Sequence, residues 1–138
     1  MKTRITKLSV LLLITVYCSL FTAYAQIPQA FNYQAVARDG SGNILAGQIV
    51  GLRLSILQGS GSGTLIYSER QVVSTNQFGL FTLSLGTGSV ITGTFSTIDW
   101  SAGNYWLRTE MDPNGGTTYT NMGNAELLTV PYAMYAAK

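Results

Sequence analysis

Alternation of apolar and polar side chains with a period of two is the feature that most restricts the fold of this chain. In residues 48–57 the apolar side chains Val50, Leu52, Leu54 and Ile56 occupy every second position. Successive side chains of a strand point to opposite faces, so this pattern predicts a strand with one buried face. Similar segments recur, separated by clusters of Gly, Ser, Asn and Asp. The sequence therefore predicts an all-β, antiparallel β-sandwich of about seven or eight strands.

Strands of this kind can be placed along most of the chain. The first is expected at residues 31–38, where Phe31, Tyr33, Ala35 and Ala37 share one face. Longer strands are expected at residues 48–57, 64–74, 80–85 and 105–111, shorter segments near 89–91 and 94–98, and a last pair at 117–122 and 126–130. No convincing amphipathic helix interrupts them, which is typical of an immunoglobulin-like or related sandwich.

The first twenty-five residues have the pattern of a secretory signal peptide. They begin with three basic side chains (Lys2, Arg4 and Lys7), continue with an uncharged apolar run, and close with AYA at residues 23–25. A transmembrane helix needs about 20 apolar residues, whereas this run is shorter and contains Ser and Thr. We therefore expect cleavage before Gln26, export to the periplasm, cell surface or medium, and no membrane span in the mature chain.

The mature chain is expected to form one domain, at residues 26–130, and a short tail at residues 131–138. A domain of this length buries roughly two-thirds of its unfolded surface, which is enough for a core without disulfides. Proline cannot donate to a strand ladder, so the tail is expected to differ from the sandwich. Because Tyr and Met are enriched in interfaces, we expect Tyr132, Met134 and Tyr135 to contact a neighbouring chain, giving a homo-oligomer.

The chemistry of the mature chain excludes most familiar active sites. The sequence has no histidine, its single cysteine is Cys18 in the leader, and Lys138 is the only lysine beyond the leader. A serine nucleophile would lack a base held in position, and a zinc-type site would lack nitrogen and sulfur ligands. We expect no enzymatic activity, no cofactor and no metal.

Charge argues against a nucleic-acid partner. The precursor has a formal net charge of +2, but the leader carries three of its eight basic residues. The mature chain therefore has five basic side chains against six acidic ones, and Arg38, Arg53, Arg70 and Arg108 are scattered singly. Binding to phosphates needs a dense basic stripe, which this sequence does not have.

Two loops match binding motifs only in part. Residues 39–43 (DGSGN) place oxygens at alternate positions, as a calcium loop does, but Ile44 and Val50 stand where such a loop has Gly and Glu. Residues 59–63 (GSGSG) lack the Gly-Lys-Ser/Thr of a phosphate-binding loop. We predict a turn for the first loop and a flexible connector for the second.

Glu110 and Asp112 are the remaining candidates for acid–base chemistry, because a pair of carboxylates can hydrolyse a glycosidic bond. The structural interpretation is that Glu110 balances Arg108 or is solvated, and that Asp112 opens the turn at Pro113. A small enzyme built on Glu110 is thus the weakest of three functional hypotheses.

Aromatic side chains support the second hypothesis, a carbohydrate-binding module. Trp106 is predicted to lie on the opposite face of its strand from Tyr105, and sugar rings could stack on Trp106 with Tyr105 or Trp100 nearby. Trp106 is therefore a candidate contact for a glycan or a protein. If its face is covered, Trp106 belongs to the core instead.

Four stretches resemble a module found at the N-terminus of exported Bacteroidota proteins. They are residues 28–38 (PQAFNYQAVAR), 78–81 (FGLF), 98–100 (IDW) and 128–136 (LTVPYAMYA). In longer relatives this module precedes collagen-like repeats, coiled stalks or tail-fibre domains. The resemblance implies the first hypothesis, a non-catalytic structural, adhesion or assembly module of a secreted cell-envelope protein.

A more distant resemblance is to prealbumin-like modules of the carboxypeptidase regulatory type. Their Asp-x-x-Gly turn is similar to residues 39–47 (DGSGNILAG), and their Thr-Asp-x-x-Gly-x-Phe motif to residues 75–81 (TNQFGLF). This resemblance implies a prealbumin-like arrangement of the sandwich.

Overall fold

The computed structural model describes residues 30–128, which form seven strands in two antiparallel sheets. The predicted fold class, an all-β sandwich, is confirmed. The strands are β1 (Phe31–Val36), β2 (Ile49–Gln58), β3 (Thr64–Ser74), β4 (Leu80–Leu85), β5 (Ser89–Thr92), β6 (Tyr105–Asp112) and β7 (Thr120–Glu126). The helical content of this range is one 3₁₀ turn at Phe95–Thr97. Within residues 30–128, no helix has the length and apolar character needed to cross a membrane.

The larger sheet has the strand order β5-β3-β2-β6-β7, and β1 pairs with β4 in the smaller one. The central strand β2 is paired on both sides. Its alternating apolar side chains face the smaller sheet and are at most 1% exposed (Val50, Leu52, Leu54, Ile56). The period of two in the sequence therefore marks the inner face, as predicted.

The core lies between the two sheets. From the smaller sheet, β4 contributes three buried side chains, Phe81, Leu83 and Leu85. One end of the core is a chain of aromatic rings with neighbouring centroids 5.1–6.4 Å apart, formed by Phe31, Tyr67, Phe95, Trp100 and Tyr105. These rings fix the end of the sandwich at which β1 begins and β7 ends.

Glu69 closes one side of the sandwich. Its carboxylate is fully buried, and Oε2 accepts hydrogen bonds from the hydroxyl of Tyr67 at 2.6 Å and from the amides of Gly86 at 2.9 Å and Gly88 at 3.2 Å. Oε1 accepts a bond from Nε2 of Gln71 at 2.6 Å. The two glycines lie in the turn between β4 and β5, which belong to different sheets. Glu69 thus ties the sheets together along the β3 side.

The last strand differs from its prediction. Two strands were expected at residues 117–122 and 126–130, but residues 117–128 contain a single strand, β7, with Gly123 inside it, and residues 129 and 130 lie outside the described residues. The pairing of β7 with β6 shifts register between Thr109 and Glu110, and the strand continues past this irregularity. Gly123 lies between the two expected strands and sits beside a bulge, a common place for glycine within a strand.

Candidate functional site

The side of the sandwich opposite Glu69 is open. Within residues 30–128, β1 pairs only with β4 and β7 only with β6, so each strand has one edge without a strand partner. Every residue of β7 is exposed, and the inward-facing residues of β1 are only half-buried. Unpaired edges present backbone N–H and C=O groups that can bind a further strand.

A groove, here called the edge groove, runs between these two strands. Its narrow part has a volume of about 360 Å³ and lies between residues 33–38 and residues 122–125. Small residues form much of its two walls, among them Ala35 on β1 and Ala125 on β7. The floor is the apolar core, where Leu52, Phe81, Leu107 and Met111 reach the groove. Because the side chains on both walls are small and the floor is apolar, the groove has room for the side chains of an inserted strand.

The wide part of the edge groove continues along the same two strands, at the end with the aromatic rings. Its volume is about 600 Å³, and it lies between the start of β1 and residues 126–128. Trp100 forms part of its surface and is 43% exposed. Three polar side chains line it as well, Asn32, Asn104 and Glu126. This part can therefore bind a bulky group through both apolar contact and hydrogen bonds.

Tyr33 connects the two sheets at the edge groove. Its ring lies 6.1 Å from the ring of Phe81, and its hydroxyl lies 3.1 Å from Oγ1 of Thr109 on β6. This hydrogen bond joins the smaller sheet to the larger one below the open side. Tyr33 therefore links β1 to β6 directly below the edge groove.

Charged groups are sparse in the edge groove. Arg38 lines the narrow part, and Glu126 lines the wide part. Arg38 donates to the carbonyl oxygen of Gly42 at 2.9 Å. The other residues that line the groove are apolar or uncharged, so the groove favours an extended segment that is bound mainly through its backbone and its apolar side chains.

The aromatic residue singled out by the sequence lies elsewhere. Trp106 is half-buried on the outer face of the larger sheet, beneath the loop between β2 and β3. That loop is held down by Arg108 and Asn124, which donate to the carbonyl oxygen of Gly61 at 3.2 Å and 2.7 Å. The exposed aromatic residue of the groove is Trp100, which the sequence indicated only as a possible neighbour of Trp106.

The predicted tail contacts Tyr132, Met134 and Tyr135 lie outside the described residues. The last described residue is Leu128, which lines the wide part of the edge groove and is 79% exposed. Leu127 packs against the core, and its amide donates to the carbonyl oxygen of Tyr105 at 2.8 Å. The chain is therefore anchored at Leu127, at the rim of the groove.

The two candidate acid–base residues are engaged in structural bonds. Glu110 pairs with Arg53, not with Arg108 as the sequence interpretation had it, and the hydrogen bonds from Arg53 lower the pKa of Glu110. Asp112 accepts bonds from the amides of Asn114 and Thr118, both at 2.9 Å, and these lower its pKa. Asp112 thus shapes the turn at Pro113, as predicted.

The loop at residues 39–43 is a turn. Oδ1 of Asp39 accepts bonds from the amides of Ser41 at 2.8 Å and Asn43 at 2.9 Å, and Oδ2 accepts one from the side chain of Asn43 at 3.0 Å. These bonds, led by that side chain, lower the pKa of Asp39. Among residues 30–128, no three His, Cys, Asp or Glu side chains come together as a metal site would require.

Comparison with known proteins gives one match. The model of a family described as a domain of unknown function, DUF8740, matches residues 32–124, which include all of β2 to β6 and most of β1 and β7. No curated protein matches the chain, and no solved structure matches it. The matched range includes most residues that line the narrow part of the edge groove, whereas Phe31 and residues 126–128 of the wide part lie outside it.

Proposed function

Since the chain belongs to the DUF8740 family, a domain of unknown function, we propose its role from its structure: it is a non-catalytic assembly module that accepts an extended strand from a protein partner in its edge groove. The observation that carries this proposal is the pair of unpaired edges, β1 and β7, on either side of a groove with an apolar floor. Strand addition supplies main-chain hydrogen bonds for affinity and pockets for alternate side chains.

The shape of the sandwich supports this role. The β3 side is closed by the buried bonds of Glu69, whereas the β7 side leaves Ala35 and Phe31 half-buried above the core. A strand inserted beside β1 would extend the smaller sheet and cover these side chains. Burial of apolar surface contributes about 25 cal/mol per Å², so covering these apolar side chains would favour binding of the strand.

The proposed role is consistent with export and with the resemblance to modules of exported Bacteroidota proteins. Under this proposal, the leader is removed before Gln26 and the sandwich functions in the periplasm, on the cell surface or outside the cell. Structural, adhesive and assembly roles all depend on binding other proteins. Mass spectrometry of the exported protein checks the location and the cleavage site, since the N-terminal residue should be Gln26.

The test of strand binding uses a displayed library of short peptides against the chain from Gln26 to Lys138. Ala35→Phe places a large side chain in the narrow part of the groove, while Gln34→Phe places the same side chain on the solvent face of the same strand. Peptides selected by the unmodified chain should bind at least about tenfold more weakly to Ala35→Phe, a loss of about 1.4 kcal/mol in binding free energy. They should bind equally well to Gln34→Phe.

Ala125→Trp blocks the groove from its other wall, at an exposed residue, and guards against misfolding of the first variant. Bound peptides should also slow hydrogen exchange at the amides of β1 or β7. Selected peptides that bind both blocked variants as tightly as the unmodified chain would rule out the groove as the binding site.

A glycan is the second candidate ligand, because Trp100 is exposed in the wide part of the groove beside Asn32, Asn104 and Glu126. Exposed aromatic rings next to amide and carboxylate groups suit sugar binding. A glycan array with the unmodified chain, Trp100→Ala and Trp106→Ala separates the hypotheses. Binding that is lost in Trp100→Ala alone would favour the glycan in the wide part, while loss in Trp106→Ala alone would favour the outer face.

A further inference from the structure

We propose that the strand accepted by the edge groove is residues 132–137 of a second copy of this chain, with Tyr132, Met134 and Ala136 facing the core. This inference rests on the proposed function and names its partner. It combines the position at which the described chain ends, the length of the segment that follows, and the chemistry of the groove.

Length and composition fit the groove. The segment has six residues, the same number as β1, so it can pair along the whole of that strand. It carries no charge before Lys138, and among the residues that line the groove only Arg38 and Glu126 are charged. A charged side chain that faced the apolar floor would lose its bound water and gain no charged partner, which costs free energy.

Alternation assigns the two faces of the segment. In an extended chain, Tyr132, Met134 and Ala136 share one face, and the side chains between them share the other. A tyrosine and a methionine on the inner face match an apolar floor that includes Phe81 and Leu107. The opposite face, with Tyr135, would lie toward solvent, where a hydroxyl on an aromatic ring is well tolerated.

The connection favours a second copy over the segment's own groove. To reach its own groove, the chain would have to reverse direction directly after Leu128. Residues 129–131 (TVP) contain no residue that favours a positive φ, as Gly or Asn would, and Pro131 biases Val130 toward an extended backbone. The sequence therefore favours a segment that continues away from its own sandwich and reaches the groove of another.

The experiment measures the mass of the chain from Gln26 to Lys138 in solution by light scattering. The unmodified chain should form dimers or larger species in a concentration-dependent way. Met134→Asp should abolish association because it places a charge on the inner face of the segment. Ala133→Asp changes the neighbouring residue, which faces outward, and should leave association intact. Gln34→Phe should also leave association intact, because Gln34 lies on the solvent face of β1 and does not block the groove.

Complementation between two defective copies gives the sharpest readout. Ala35→Phe has a blocked groove and an intact segment, whereas Met134→Asp has an intact groove and a defective segment. Each should be monomeric alone, and a mixture should form a species of two chains, one of each kind. Ala125→Trp replaces Ala35→Phe in a repeat of the mixing experiment, so that a folding defect in one variant does not decide the result.

Two results would overturn the inference. The first is a monomeric unmodified chain; if Met134→Asp then speeds hydrogen exchange in β1, the segment occupies its own groove. The second is association that persists in Met134→Asp or in both groove variants. If peptides from the library still bind in a way that Ala35→Phe blocks, the proposed function stands and only its partner is wrong.

Discussion

Arg53 and Glu110 form a two-bond ion pair across neighbouring strands of the larger sheet. Nε of Arg53 donates to Oε2 of Glu110 at 2.6 Å, and Nη2 donates to Oε1 at 2.5 Å. The two residues are directly opposite each other on β2 and β6, and the guanidinium carbon lies 4.8 Å from the centre of the Tyr119 ring. Glu110, one of the two candidates for acid–base chemistry, is thereby held in an ion pair on the outer face of the sheet.

Glu110→Gln should lower the free energy of unfolding at pH 7 by about 1 kcal/mol, a modest value because the side chain of Arg53 is 39% exposed. Urea unfolding at pH 7 measures it. The same variant should leave association and peptide binding unchanged, since Glu110 does not line the edge groove. If the variant were as stable as the unmodified chain, the ion pair would contribute nothing measurable to the free energy of unfolding.

The contribution of this pair should depend on pH in one direction. Hydrogen bonds from Arg53 lower the pKa of Glu110 in the folded chain, so the stabilisation is complete above the pKa of an unfolded glutamate, about 4.3. It is lost as the pH falls through the lower, folded value. The difference in unfolding free energy between the unmodified chain and Glu110→Gln should therefore shrink below about pH 4. A difference that grows in acid would contradict this assignment.

Glu69→Gln should be more damaging, because this carboxylate is fully buried and accepts four hydrogen bonds. The amide of glutamine has only one acceptor oxygen, and its NH₂ group would face donors that now bond to the carboxylate. These buried donors would lose their acceptor, which should lower the free energy of unfolding by about 2 kcal/mol or more. Urea unfolding measures this loss. Glu126→Gln is the matched control, since Glu126 is exposed and its change should stay within about 0.5 kcal/mol. Equal effects of the two changes would show that Glu69 is not a latch between the sheets.

Tyr67 is part of the same cluster. Burial, followed by the hydrogen bond to Glu69, raises the pKa of the Tyr67 hydroxyl, which keeps its proton and remains a donor. Tyr67→Phe should therefore cost about 1 kcal/mol, the usual net value of a hydrogen bond. In Tyr67→Phe/Glu69→Gln the two losses should not add, because both remove the same bond. Additive losses in urea unfolding would mean that the two residues act independently.

Features of the fold that follow from neighbouring residues in the sequence were predictable, whereas features that depend on pairing with a distant strand were not. The inner faces of β1, β2 and β4 follow from alternation, and the structure confirms that Val50, Phe81 and their neighbours are buried. The single strand β7 was missed because a bulge beside Gly123 depends on pairing with β6, which the sequence of β7 does not contain. Local patterns specify faces, while irregularities arise from contacts with another strand.

The edge groove and the partners of the charged side chains were also beyond the sequence pattern. A groove between β1 and β7 exists because the two strands, almost ninety residues apart in sequence, lie on the same side of the sandwich. The pairing of Glu110 with Arg53 depends on the register between β2 and β6, whereas Arg108 lies on the same strand and was the nearer choice in sequence. Non-local register was the missing information in both cases.

Gly51 provides the last prediction, because the β6–β7 loop approaches β2 there more closely than a side chain allows. A Cβ on Gly51 would lie 2.3 Å from the carbonyl oxygen of Gly116. The loop cannot move away easily, since Asp112 holds the amides of Asn114 and Thr118. Gly51→Ala should therefore lower the unfolding free energy by about 2 kcal/mol, in the range of overpacked sites.

The sign of this change is informative, because alanine in place of glycine usually stabilises a strand or turn that needs no special backbone conformation. Gly40→Ala is the matched control: no atom lies within 4 Å of a Cβ at that position, so its stability should stay the same or rise slightly. Thermal and urea unfolding of both variants measure the contrast. If Gly51→Ala were as stable as Gly40→Ala, the loop would have to move freely over β2, and Asp112 would not anchor it.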